Sequence, residues 1–65
     1  MLTGTVTFFD EGAGLGTVTA DTGETWPFHC VSLADGSRSI GTGVRVTFEI
    51  GFRVARSEAT LITRI

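Results

Sequence analysis

The 65-residue chain contains no lysine, tyrosine, asparagine or glutamine, and a single cysteine, Cys30, a single histidine, His29, and a single proline, Pro27. One cysteine cannot make an internal disulfide, and one cysteine with one histidine is too few for a structural zinc site. Stability must therefore come from packing alone, in a chain that buries only roughly 60% of the surface its unfolded form exposes. Without lysine there is no phosphate-binding loop of the nucleotide-hydrolase kind. No segment approaches the roughly 20 apolar residues of a membrane-spanning helix. The opening Met1, Leu2, Thr3, Gly4 carries neither a basic stretch nor a leader-like apolar run, so a soluble cytoplasmic protein is expected, with no membrane partner. A lone thiol suits a reducing compartment.

What is present favours strands and turns. Eleven threonines and nine glycines accompany a Val, Ile and Phe-rich apolar set, a composition that suits β-structure over helix. Thr3 to Phe9 reads as a first strand, and Asp10 to Gly14 as a turn whose residues tolerate unusual backbone angles. Leu15 to Ala20 alternates, with Leu15, Thr17 and Thr19 on one face and Gly16, Val18 and Ala20 on the other. The turn at Asp21 to Glu24 leads into Thr25 to Cys30, where Trp26, Phe28 and Cys30 should face the core. Pro27 has no amide hydrogen, so its position must be at an edge or a bulge.

A long polar loop follows, marked by Asp35, Gly36, Ser37, Arg38 and Ser39. Gly43 to Ile50 alternates cleanly, Val44, Val46, Phe48 and Ile50 against Arg45, Thr47 and Glu49; Gly51 to Glu58 reads as a connection and Ala59 to Ile65 as the last strand. Five strands with a long connection between the third and fourth predict an all-β, five-stranded antiparallel barrel of the OB type over residues 1–65, a single domain whose closure removes its edges.

Enzymatic readings fail on inventory. His29 and Cys30 are neighbours in a predicted strand and point to opposite faces, so they cannot form a thiolate and base pair. Gly12, Gly14 and Gly16 lack the third glycine and following helix of a dinucleotide fingerprint. Asp10 and Glu11 sit in a turn, where solvated acids are common. No catalytic residue, metal site or cofactor is expected.

The order and spacing of Gly4, Val6, Phe8, Phe9 and Asp10, then Gly14, Leu15 and Gly16, then Trp26, Pro27, Phe28 and His29, resembles the bacterial cold-shock domain. In that family Gly-x-Val-Lys-Trp-Phe-Asn leads into Lys-Gly-Phe-Gly-Phe-Ile, and a third strand reads Val-Phe-Val-His-Phe. The resemblance implies an OB barrel whose outward aromatic side chains on strands one to three stack on single-stranded DNA or RNA, with lysines around them holding phosphates. Phe8 takes the tryptophan position, and Phe9 and His29 match outright. Leu15, Thr17, Pro27 and Cys30 occupy positions where the family has phenylalanine, Thr7 and Ala13 those of lysines, and Asp10 a common asparagine.

The implied binding set is Phe8, Phe9, Leu15, Thr17, Pro27, His29 and Cys30, with Arg38, Arg53 and Arg56 in the long connections as phosphate contacts. Each stacked base is worth about 1 to 3 kcal/mol, so four lost platforms predict weak binding that tolerates any sequence. Charge points the same way: Asp10, Glu11, Asp21, Glu24 and Asp35 precede every arginine, and the net charge is −2. Nucleic-acid binders normally carry a basic stripe. Alternatives stay open at several positions. Phe9 is either a stacking platform or a core residue, Phe8 lies where a bulge makes its direction ambiguous, Trp26 reads as a packing anchor, and Phe52 is either a stray aromatic or a contact. An apolar, uncharged patch of Phe8, Leu15, Pro27 and Cys30 would equally suit a protein partner or a homodimer.

Overall fold

The computed structural model describes every residue except Arg38, Val54 and Ala55, and for Arg53 and Arg56 the backbone alone. Five antiparallel strands form one sheet: β1 (Leu2–Asp10), β2 (Leu15–Ala20), β3 (Thr25–His29), β4 (Arg45–Arg53) and β5 (Arg56–Arg64), in the order β3-β2-β1-β4-β5. The alternation of β2 holds as expected, with Gly16, Val18 and Ala20 buried. In β4 the same pattern buries Val46 and Phe48.

Long β1 serves both halves of the sheet. Leu2 to Thr5 pair with β4, while Gly4 to Asp10 pair with β2, and a bulge between Val6 and Phe8 lies just past the shared stretch. The extra residue, Thr7, bends the strand and increases its twist. Val6, at the bend, gives its amide to the Val44 carbonyl and accepts from the Gly43 amide, so these two residues still dock on β1 although the β4 ladder starts at Arg45.

Four expectations change. The sheet does not close by a ladder between β3 and β5. Instead, the chain beyond β3 turns through a short 3₁₀ segment, Cys30–Ser32, makes a parallel bridge at Leu33 with Ile62, and donates the Ala34 amide to the Ile62 carbonyl at 2.8 Å. Cys30 therefore leaves the third strand. Gly51 to Glu58 is not a free connection either: β4 runs on to Arg53 and β5 begins at Arg56, so this stretch forms the end of a hairpin. Ile50, expected inside, lies on the core-facing side of β4 opposite the buried Ala59, yet is 38% exposed at the margin.

The core comprises Val6, Val18, Ala20, Phe28, Leu33, Ile40, Val46, Phe48, Ala59 and Ile62, with Phe9, Trp26 and Val44 packed at its margin. Leu33 and Ile40 come from the loop that reads as polar. Arg64 pins that loop to β5, pairing with the Asp35 carboxylate and donating to the Ser39 carbonyl at 2.7 Å. No helix among the described residues is long and apolar enough to cross a membrane.

Candidate nucleic-acid interface

Register decides which predicted side chains meet. Phe8 is opposite Thr17, and Thr17 opposite Pro27; in the next row Asp10 is opposite Leu15, and Leu15 opposite His29. Directly paired residues share a face of a sheet. Phe8, Leu15, Thr17, Pro27 and His29 thus form one outward patch across three strands, with Phe8 55% and Leu15 41% exposed. Pro27 is tolerated because β3 pairs only with β2, so its missing amide hydrogen falls on the edge side.

The bulge sets the direction of the two adjacent phenylalanines. With Thr7 and Phe8 both turned outward, Phe9 returns to the core side, where it pairs across Gly16 with Phe28, its ring stacked on that of Phe28 at 5.9 Å between centroids and 11° between planes. Gly16 makes this possible: a Cβ there would stand 2.5 Å from the Phe28 ring. Phe9 is therefore not part of the outward patch. Cys30 is also outside it, since it begins the 3₁₀ turn, donates its amide to the Gly14 carbonyl at 2.8 Å and rests its sulfur against Gly14. Gly14 adopts φ 69°, a left-handed conformation that glycine takes without steric cost.

The acids at the rim are engaged locally. Asp10 Oδ1 accepts from the amides of Gly12 at 3.0 Å and Ala13 at 3.3 Å, holding the β1–β2 turn, and Glu11 accepts from the Ser39 hydroxyl at 2.8 Å. His29 donates from Nδ1 to Oε1 of Glu58 at 3.2 Å, its own side chain 43% exposed and that of Glu58 3%. This contact crosses from β3 to β5 where the backbone ladder is missing, and it fixes the imidazole at the edge of the patch. Sequence reasoning missed Glu58, which reads as one more acid in a connection; nothing local in the chain marks it as buried.

The described arginines are committed elsewhere. Arg45 makes a bidentate pair with Asp21 at 2.6 and 3.0 Å, and Arg64 pairs with Asp35. Between them the Arg45 guanidinium, donating to Asp21, and the Thr3 hydroxyl hold the Asp21 carboxyl down at about 2, below its ordinary 3.8. The Ser37 amide and hydroxyl, and more weakly Arg64, lower Asp35 in the same way. Arg38 and the side chains of Arg53 and Arg56, expected as phosphate contacts, lie outside the described residues. Among the described residues no cluster of three or more His, Cys, Asp or Glu could hold a metal ion. No known family model matches the sequence. No curated protein is significantly similar to it.

Proposed function

We propose that the outward patch of β1–β3 binds single-stranded RNA or DNA weakly and without sequence preference, in the manner of a cold-shock domain and in a cytoplasmic setting. The observation that carries this reading is the row Phe8, Thr17, Pro27 beside Leu15 and His29: an exposed ring and an imidazole on a common face, with Thr17, Pro27 and Leu15 between them. Every base has a π-face, so stacking on Phe8 and His29 accepts any sequence. Asparagine and glutamine, the side chains suited to bidentate pairing with adenine, are absent from the chain.

Affinity in this reading is limited by electrostatics. The chain has no lysine, and Arg45 and Arg64 are paired with acids, which leaves Arg38, Arg53 and Arg56 as the phosphate contacts; binding should weaken with salt by about 0.7 logarithmic unit per phosphate contact on a single strand. Fluorescence anisotropy of labelled oligothymidine at low salt tests it. Binding should appear at a protein concentration on the order of 100 μM, and Phe8→Ala should weaken it about tenfold. Absence of binding at that concentration, or indifference to Phe8→Ala combined with His29→Ala, would overturn the reading in favour of a protein partner. That second reading draws support from Leu15, which is 41% exposed beside Phe8.

A further inference from the structure

We infer that this chain forms a homodimer by antiparallel pairing of the free edge of β4 with the same edge of a second copy. The direction of the backbone groups on β4 follows from two hydrogen bonds. Arg45 gives its carbonyl to Ile65 at 3.1 Å, toward β5, and Val44 gives its carbonyl to Val6 at 3.0 Å, toward β1. Main-chain groups alternate along a strand, so odd-numbered residues of β4 bond to β5 and even-numbered ones to β1. The β1 ladder ends where Leu2 meets Phe48, whereas β4 continues to Arg53. The amides and carbonyls of Ile50 and Phe52 therefore point to the β1 side with no ladder partner among the described residues. A row of this kind is a template for another strand.

The edge is complementary to itself. A twofold axis at Gly51 sets Ile50 opposite Phe52 of the second copy and Phe52 opposite its Ile50, and these two pairs use all four free groups on each edge. The same register sets Glu49 opposite Arg53 of the second copy, and Arg53 opposite its Glu49, giving two charge-complementary pairs. A twofold through Ile50 would instead call on Phe48, already bonded to β1. Side chains support the register as well. Ile50 and Phe52 continue the face of Val46 and Phe48 and are 38% and 77% exposed, so the pairing would cover apolar surface that the monomer leaves open. The Met1 amino group stands 3.7 Å from the Glu49 carboxylate, with both groups largely solvated, and is the only intrachain ion pair of Glu49 among the described residues.

Bounded by β1 at one end and the hairpin turn at the other, the interface is short, and its dissociation constant is on the order of 0.1 to 1 mM. Sedimentation velocity and amide NMR across that range test it on the intact chain. The Ile50 and Phe52 amides should shift and gain exchange protection as concentration rises. Phe52→Pro removes one outward amide without touching the β5 ladder and should weaken the dimer at least about tenfold. Glu49→Arg and Arg53→Glu should each weaken it by about tenfold, and the double reversal should restore it, a rescue that loss of folding would not give. A chain that stays monomeric at about 2 mM, a dimer unmoved by Phe52→Pro and the single charge reversals, or a dimer abolished by Phe8→Ala in place of these changes overturns the proposal.

Discussion

Two bulges shape this sheet, one in β1 and one in β5, and they solve the same problem at different cost. In each, the inward residues stand three apart where a regular strand would space them by two: Val6 and Phe9 in β1, Ala59 and Ile62 in β5. In β1 the extra residue is Thr7, whose hydroxyl meets that of Thr19 at 3.0 Å, and no residue around it needs a positive φ. In β5 the register slips between Thr60 and Thr63 while β4 advances by one residue fewer, and Leu61 takes up the slack at φ 50° with its side chain 65% exposed. The first bulge turns an aromatic ring outward at the candidate interface. The second curls β5 so that Ile62 can reach Leu33, at the expense of a bulky residue in a left-handed conformation that disfavours Cβ.

The largest effect tests what the β1 bulge separates. Phe9→Ala removes a ring stacked on Phe28 at the margin of the core and should lower stability by about 2–3 kcal/mol, less than a fully buried ring because Phe9 is only partly buried. Phe8→Ala, one residue earlier, should change stability by less than about 0.5 kcal/mol and act on oligonucleotide binding instead. Urea unfolding of the two variants measures the first difference and anisotropy the second. Equal losses of stability would mean that the bulge does not part the two rings in solution.

Sequence reading reaches as far as burial follows a period. Gly16, Val18 and Ala20 in β2, and Val46 with Phe48 in β4, declare their faces because each second side chain enters the core. Beyond Phe48, Ile50 and Phe52 of β4 are exposed although Ala59, opposite Ile50, is buried, so alternation no longer separates strand from connection and the hairpin reads as loop. Leu33 and Ile40 flank the polar run without any periodic pattern, and the bridge to β5 that carries Leu33 into the core is not marked in the local sequence. The outward patch is legible through the cold-shock resemblance; alternation by itself places Leu15 with Thr17 and sets Pro27 and His29 away from the core, and leaves Phe8 ambiguous at the bulge. The faces of Phe9 and Cys30 are not legible, since a bulge and a 3₁₀ turn shift the face by one residue without changing composition. Glu58 escaped for a different reason: its partner, His29, is 29 positions away.

A smaller effect, of opposite sign, tests the second bulge. Leu61→Gly removes the Cβ conflict of a left-handed residue, worth roughly 1–2 kcal/mol, against an entropic cost of roughly 0.5–1 kcal/mol for glycine. Because Leu61 is mostly exposed, little burial is lost, and the variant should be more stable by about 0.5–1 kcal/mol. Leu61→Val should move the other way, since a β-branched residue fits this conformation worst. A shift of the urea midpoint at unchanged slope reads both. Destabilisation by glycine would show that the Leu61 side chain contributes packing that outweighs its backbone conformation.

The smallest effect concerns the ion pairs that flank the bulges and tie the acidic first half of the chain to the arginines of the second. Asp21 holds Arg45, opposite Thr5 and just before the β1 bulge; Asp35 holds Arg64, just beyond the β5 bulge. Hydrogen bonding depresses both carboxyls in the folded state, Asp21 from 3.8 to about 2. A depressed carboxyl stabilises the fold in full above its unfolded pKa, and the contribution fades as pH falls toward the folded one. Thermal midpoints should accordingly be flat in these groups above pH 4 and decline between about pH 4 and pH 2. Both pairs are solvent-exposed, so salt should shrink the decline. Asp21→Asn should remove part of it while leaving the remainder, carried by Asp35, in place. If instead the variant retains the full acid sensitivity of the parent, the Asp21–Arg45 pair does not couple the two halves, and the bend after Thr5 is held by the backbone bonds of Val6 to Gly43 and Val44 alone.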